Sequence, residues 1–231
     1  MTAELVVGIA LIALPVAFNI AFADLARTFD YPDILRREPG EILQRFQAGG
    51  TALVVRWWAF AIVAVAFVPV GAAAPVVIAP GSVAATVTVA LAVAAGLVQA
   101  IGLVRWPFLV PELARRHADA ATSPAERATI ELVFASVHRL LGVAIGEHLG
   151  YLLTGLWTLA LSATLLVATG EAVPGLLVVP GFVIGLALIV SSLEFVGPNE
   201  AHGWPVAEKL VPIAYVAWSI WLVVLGLALI I

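Results

Sequence analysis

The chain has 231 residues, of which 63% are apolar and 11% charged, whereas a soluble domain averages about 45–50% apolar and about 25% charged. So few charges cannot coat a water-facing globule, and a net charge of −4 offers no basic excess for nucleic acid. The chain has no cysteine, which excludes disulfides, thiolate metal sites and thiol nucleophiles.

The first apolar run, Leu5–Phe18, precedes Ala21-Phe22-Ala23, a triplet resembling a signal-peptidase site. Glu4 stands ahead of it with no Lys or Arg, so the basic flank of a signal peptide is missing and the run reads as a retained helix. Crossing about 30 Å of hydrocarbon takes roughly 20 helical residues. Six stretches qualify, near 3–23, 51–72, 82–104, 147–169, 174–194 and 209–231. The expected fold is therefore all-α, a single-domain polytopic membrane bundle of six transmembrane helices over 1–231. The second helix has room to begin earlier, through Glu41–Gln47.

The connections alternate in character. Gly71–Pro80 carries no charge, and the next turn on that side, Thr169-Gly170-Glu171-Ala172, carries one. The other three hold nearly all the charge, including Arg27, Arg36, Arg37, Arg45, Arg105, Arg115, Arg116, Arg127 and Arg139. The positive-inside rule makes that side cytoplasmic and puts both termini outside. Short interfacial helices are expected on the cytoplasmic side, at Phe29–Arg37, Pro39–Gln47 and Pro107–Asp119. Ser123-Pro124-Ala125-Glu126 is a capping-box signature with Pro at the first helical position. No breaker follows until Gly170 and Pro174, so this helix exceeds any bilayer at about 1.5 Å per residue. A bend is expected near Gly142–Gly146.

Within that helix Gly142, Gly146, Gly150, Thr154, Thr158 and Ser162 recur every four residues. Helices in lipid gain little from burying apolar surface on each other, so small residues that admit a close backbone become the packing device. The ladder reads as a seam, inside the bundle or with a partner. On the second reading, Gly142, Gly146, Gly150 and Thr154 would join a homo-oligomer or a larger membrane partner. A narrow pathway of hydroxyls is the other alternative. Gly181 and Gly185 mark a second, weaker seam.

Glu147 and His148 stand where the fourth span enters the membrane. At about 100° per residue, Ser136, Glu147, Tyr151, Thr154 and Thr158 share a face. An ionisable group near hydrocarbon depth is a candidate site, unless it sits at headgroup level where water solvates it. Glu194 belongs at the same level. Arg56, between Trp57 and Trp58, either snorkels to the headgroups or pairs with Glu147 or Glu194. The candidate polar cluster is thus Arg56, Glu147, His148, Tyr151 and Glu194. Asn19 and Gln99 are polar residues of other spans that read as helix–helix contacts.

Trp57, Trp58, Trp106 and Trp204 fit a cytoplasmic aromatic belt, and Trp157, Trp218 and Trp221 fit the core. The four histidines, His117, His138, His148 and His202, form no metal-binding motif, and no metal site or catalytic residue is expected. Haem held by histidines from two helices is the runner-up cofactor. There is no phosphate loop, nucleophile elbow or dinucleotide fingerprint.

Three stretches carry a resemblance: Phe29-Asp30-Tyr31-Pro32-Asp33-Ile34-Leu35-Arg36, then Gly146-Glu147-His148-Leu149-Gly150-Tyr151, then Pro198-Asn199-Glu200 with Gly203-Trp204. In order and spacing the chain resembles, over nearly its whole length, a family of prokaryotic integral membrane proteins catalogued as a domain of unknown function. The resemblance implies a prokaryotic plasma membrane location and no activity. The residues themselves point first to a binding or transport module for a small ligand or lipid, working through the polar cluster in the cytoplasmic half. A haem- or metal-binding redox protein and a structural subunit are the alternatives.

Overall fold

The computed structural model describes residues 1–168, 175–200 and 202–231, and among these there is helix and no strand. The expected turn at Thr169-Gly170-Glu171-Ala172 lies outside the described residues.

Helix α1 is Ala3–Phe29, capped by Thr2, whose Oγ1 accepts from the Leu5 amide at 3.3 Å. A 3₁₀ turn, Asp33–Arg36, leads to α2, Pro39–Ile78. Helix α2 is divided at Gly50, whose φ of 55° and ψ of −153° break the helical path. A positive φ is open to glycine at little steric cost. Helix α3 is Val83–Phe108, and α4, Val110–Ala118, follows one residue later.

The long helix starts as the capping box requires. The Glu126 amide donates to Ser123 Oγ at 3.3 Å, and the Ser123 amide donates to Glu126 Oε2 at 2.8 Å. It comprises α5, Pro124–Val137, a π-helical stretch, His138–Leu149, and α6, Gly150–Val167. Where a bend is expected, near Gly142–Gly146, the helix has this wider i→i+5 winding. Helix α7 is Val178–Ser191, and α8 is Pro205–Ile230.

Five helical segments are long and apolar enough to cross a membrane: Ala3–Phe29, Pro39–Ile78, Val83–Ala118, Pro124–Val167 and Pro205–Ile230. The stretch expected to cross at 174–194 contains only the 14-residue α7, apolar but below that length.

These helices close a ring. Helix α1 packs on α2, α2 on α3, α3 on α6, α6 on α7, α7 on α8, and α8 on α1. At three of these seams glycine lies on glycine. A Cβ on Gly8 would lie 2.6 Å from Gly226 O, on Gly155 2.7 Å from Gly185 O, and on Gly102 2.6 Å from Gly146 Cα. The ladder is therefore occupied within the chain. Gly142 faces Arg105, Gly146 faces Gly102, and Gly150 faces Gln99. Thr154 Oγ1 accepts from Gln99 Nε2 at 2.9 Å, and Thr158 Oγ1 accepts from Trp218 Nε1 at 3.0 Å. The Thr154, Thr158 and Ser162 hydroxyls each donate to the carbonyl four residues back, which leaves no line of free hydroxyls for a pathway.

One half of the ring is filled. Trp157, Trp218 and Trp221 are buried there with Leu11, Leu161 and Leu222, as expected for core tryptophans. In the other half a second core gathers Phe29, Phe46, Trp57, Trp106 and Phe134. The expectation that Trp57 and Trp106 belong to an interfacial belt is corrected here. Both are fully buried, with ring centroids 4.5 Å apart and planes 10° from parallel. The reason is the Gly50 break, which folds the start of α2 back so that Phe46 covers Trp106. Trp58 is exposed.

The Gly102–Gly146 approach predicts a contrast between two small substitutions. Gly102→Ala sets a Cβ against immovable backbone and should cost about 1–3 kcal/mol. Gly150→Ala meets only Gln99 Cγ at 3.2 Å, the flexible stem of a side chain, and should stay within about 1 kcal/mol of the parent as better helix propensity offsets the squeeze. Thermal unfolding in detergent compares the two.

Candidate functional site

In the half of the ring beside the charged connections, the helices leave a cavity of about 690 Å³. Its floor is the seam between α3 and the π stretch, with Gln99, Gly102 and Arg105 on one side and Gly146, Glu147 and Tyr151 on the other. Its walls are aromatic: Phe18 and Phe22 from α1, Phe60 from α2, Tyr31 from the turn after α1, and Tyr215 from α8. All three tyrosines of the chain line this one space. Tyr151 meets Tyr215 edge-on at 5.4 Å, and Tyr31 meets Trp57 edge-on at 5.1 Å. Apolar walls with a few converging polar groups are the usual form of a small-molecule site, and the volume lies in the usual range of about 300–1,000 Å³.

The rim is charged. Arg36 reaches across from the 3₁₀ turn to Glu194, and its Nη1 donates to Glu208 Oε1 at 2.9 Å. One guanidinium therefore ties three elements together: the turn before α2, the turn after α7 and the first turn of α8. Glu194 follows the last turn of α7, and its side chain is 8% exposed. Burial pushes its carboxyl above the usual range, while the charge and hydrogen bond of Arg36 pull it back.

Arg105 is the most unusual group on the floor. It occupies the last turn of α3 and is 6% exposed. Its Nη1 donates to the Gly102 carbonyl and its Nη2 to His138 Nδ1 at 3.2 Å, and its guanidinium lies 5.1 Å from the Trp106 ring centre. Because arginine only donates, His138 Nδ1 is the acceptor. Arg105 Nε has no partner among the described residues. No carboxylate lies within 4.0 Å of Arg105 and no cation within 4.0 Å of Glu147, among the described residues. The floor thus carries two ionisable groups of opposite type, Arg105 and Glu147, neither with an ion-pair partner among the described residues.

Of the residues singled out from sequence, Glu147, Tyr151 and Glu194 line the cavity together. His148 does not. It borders a smaller adjoining pocket of about 200 Å³ that Glu147, Tyr151 and Glu194 also line, and its Nδ1 donates to the Ser192 carbonyl at 2.7 Å. Arg56 is not part of the cluster either. Its Nε bonds Asp24 Oδ2 at 2.8 Å, so α2 ties to α1, and the cations facing the acids are Arg36 and Arg105. Asn19 lines the wall and donates to Ser219 Oγ at 3.0 Å, and Gln99 bonds Thr154, so both do join helices. Sequence reasoning missed Arg105, Arg36, His138, Tyr31 and Tyr215. Arg105 was the most findable, because it follows an unbroken apolar run and stands one turn beyond Gly102.

The histidines fall in separate contacts: His117 bonds Glu131 at 2.7 Å, His138 bonds Arg105, and His148 bonds Ser192. No three His, Cys, Asp or Glu side chains gather into a metal-binding group among the described residues.

Taken together, apolar helices of spanning length, closed into a ring around an aromatic-walled cavity, define a multi-pass helical protein of membrane type. The family model described as Domain of unknown function (DUF4386) matches residues 6–226, and the chain belongs to that family. No curated protein and no solved structure matches the chain.

Arg36→Gln should destabilise the protein by about 1–3 kcal/mol, because Glu194 is left buried without its cation. The loss should depend on pH. With Arg36 gone, burial and the neighbouring Glu208 charge act on Glu194 unopposed, and its folded pKa rises further above the unfolded value. A raised folded pKa stabilises below the unfolded pKa and loses that contribution as pH rises through the folded pKa. The penalty should therefore be small in acid and grow as pH climbs above the ordinary carboxyl range. Unfolding curves across pH, with Glu194→Gln added to Arg36→Gln as the variant that removes the dependence, check the sign.

Proposed function

We propose that this protein is a multi-pass plasma membrane protein of a prokaryote that binds, and in doing so helps to move, a small amphiphile in the cytoplasmic half of its bundle. The reading includes six crossings, α7 being a short sixth, with both termini outside and with the Asp33–Arg36 turn, the start of α2 and α4 lying in the cytoplasmic interface. The closed ring of helices supports it, since α7 occupies one of the ring's positions between α6 and α8. The concentration of arginine on one set of connections supports the orientation.

The observation that carries the binding reading is the pair Arg105 and Glu147. Taking a charge out of water costs several kcal/mol unless it is paired. Arg105, buried with its Nε unpartnered, and Glu147, half-buried, both face the aromatic-walled cavity and are placed to meet a ligand. Arg105, Glu147 and Tyr151 would contact the polar part of the ligand, and Phe18, Phe22, Phe60 and Tyr215 the apolar part. Glu194 would act through the Arg36 clamp at the rim.

The cysteine-free chain makes topology directly testable. Glu4→Cys and Ile231→Cys should both react with a membrane-impermeant maleimide on intact cells, and Asp119→Cys should react only after lysis. Labelling of the two terminal positions on opposite sides would mean an odd number of crossings. For binding, purified protein in mild detergent should gain thermal stability on titration with single-chain amphiphiles such as lysophospholipids. The gain at a hundredfold excess over Kd is about 2.7 kcal/mol. A flat response to every amphiphile would overturn the binding reading.

A further inference from the structure

We infer that the cavity selects a zwitterion, an amphiphile whose head carries an ammonium group and a phosphate or carboxylate. The inference rests on the binding reading and specifies its ligand. Arg105 holds the anionic part. Glu147 and the faces of the surrounding tyrosines hold the ammonium.

The floor geometry comes first. Gly102 and Gly146 touch backbone to backbone, and each charge is fixed close to that contact. Arg105 is one turn on from Gly102, and Glu147 is the residue next to Gly146. Both therefore look onto one short stretch of floor. The two are nonetheless more than 4.0 Å apart, so they do not satisfy each other directly. Of the rim acids, Glu194 and Glu208 are taken by Arg36, while Asp33 and Lys209 also line the rim but are exposed, where water solvates them. Glu147 and Arg105 are the charged side chains of the floor left for a guest.

Charge balance then narrows the guest. A simple anion against Arg105 would face the Glu147 carboxylate, and a simple cation against Glu147 would face the guanidinium. A neutral head would leave the buried Arg105 and the half-buried Glu147 both short of partners, which is costly in a low-dielectric site. Only a head with both signs satisfies both. The aromatic walls favour the same solution, because Tyr31, Tyr151 and Tyr215 with Phe18, Phe22 and Phe60 line the cavity with rings, and an ammonium is attracted to the face of an aromatic ring. Space for a chain follows the α1–α8 side, where the lining includes Pro212 and the exposed Val216. The head could belong to a membrane lipid or to a soluble solute of the same chemistry, and the two sources differ only in the need for an acyl chain.

The test uses the full chain in dodecyl maltoside and measures Kd for four single-chain probes of matched length. These are lysophosphatidylethanolamine, lysophosphatidic acid, an alkylamine and a monoacylglycerol. The zwitterion should bind about tenfold to a hundredfold more tightly than each of the other three, as expected when its head makes at least one more charge-assisted hydrogen bond than theirs. Glycerophosphoethanolamine, the head without the chain, separates the sources. Binding as tight as the lysolipid's points to a soluble zwitterion, much weaker binding to a membrane lipid, and either supports the shared head chemistry. Glu147→Gln should abolish the advantage of the zwitterion over lysophosphatidic acid while lysophosphatidic acid still binds, which also shows the variant is folded. Equal binding of all four probes to the parent protein would overturn the zwitterion assignment and leave the binding reading standing, as would an undiminished advantage in Glu147→Gln. Binding of none would overturn both. Should Glu147→Gln fail to fold, the four-probe series on the parent decides alone.

Discussion

The backbone contact between Gly102 and Gly146 is the constraint from which the rest of the site follows. Neither position has room for a side chain, and the axis of α3 is drawn against the π stretch as a result. Between helices in lipid the hydrophobic effect gives little, so close approach, with its dispersion and weak Cα–H···O contacts, must supply the attraction. The approach also fixes register. It sets Arg105 and Glu147 on the two sides of one floor, and it sets Gln99 where it can reach Thr154. The 12-residue π stretch is the local irregularity that accompanies this contact. Wide i→i+5 winding is rare and concentrates at functional sites. Here it lies along the cavity and carries five of its lining positions, His138, Gly142, Val143, Gly146 and Glu147.

Arg105 can be buried at this place because its surroundings disperse its charge. The Gly102 carbonyl, His138 and the face of Trp106 each take a share. Trp106 is itself held by stacking on Trp57 and on Phe46, and Phe134 stacks on His138 at 5.7 Å. The second core thus does two things. It closes the end of the ring that the fold of α2 covers, and it holds the guanidinium and its histidine partner in fixed positions. Indole N–H groups of Trp57 and Trp106 have no acceptor among the described residues, a cost borne to keep that cluster dry.

Much of the architecture was legible in one dimension. Hydropathy marks the long apolar helices because crossing a membrane demands unbroken runs. The box at Ser123 and Glu126 reads correctly because capping is local chemistry within four residues. The every-fourth small residue from Gly142 to Ser162 reads as a seam for the same reason. The site was legible only in part, and the failures have physical causes. A helical wheel assumes about 100° per residue. It placed Ser136 and Glu147 on one face, but the π winding that begins at His138 shifts the phase. Ser136 is exposed and bonds its own helix at Leu132, while Glu147 turns to the cavity. Arg105 counted as one more arginine of a charged connection, because sequence does not reveal that α4 continues directly from α3 and carries the polar boundary farther on. Tryptophan serves both interfaces and cores, so Trp57 and Trp58 were indistinguishable as neighbours. Only the fold separates a fully buried ring from an exposed one. Arg56 and Asp24 lie in different helices, and nothing local couples them.

The filled half of the ring bears on how the cavity could be used. Beyond Tyr151 and Tyr215 the space between the helices is taken by Trp157 and Trp218, and each is anchored by its indole. Trp157 Nε1 donates to the Gly71 carbonyl at 3.2 Å, and Trp218 Nε1 to Thr158 at 3.0 Å. Phe67 closes on both rings, at 4.9 and 5.9 Å. A molecule resting on Gln99 therefore has a way out toward the charged rim and along the α1–α8 side, and none through the centre. Passage across would require two buried indoles to leave their hydrogen bonds and Phe67 to move with them. The aromatic plug closes the centre of the ring, so that the cavity opens toward the rim where Arg36 joins Glu194 and Glu208.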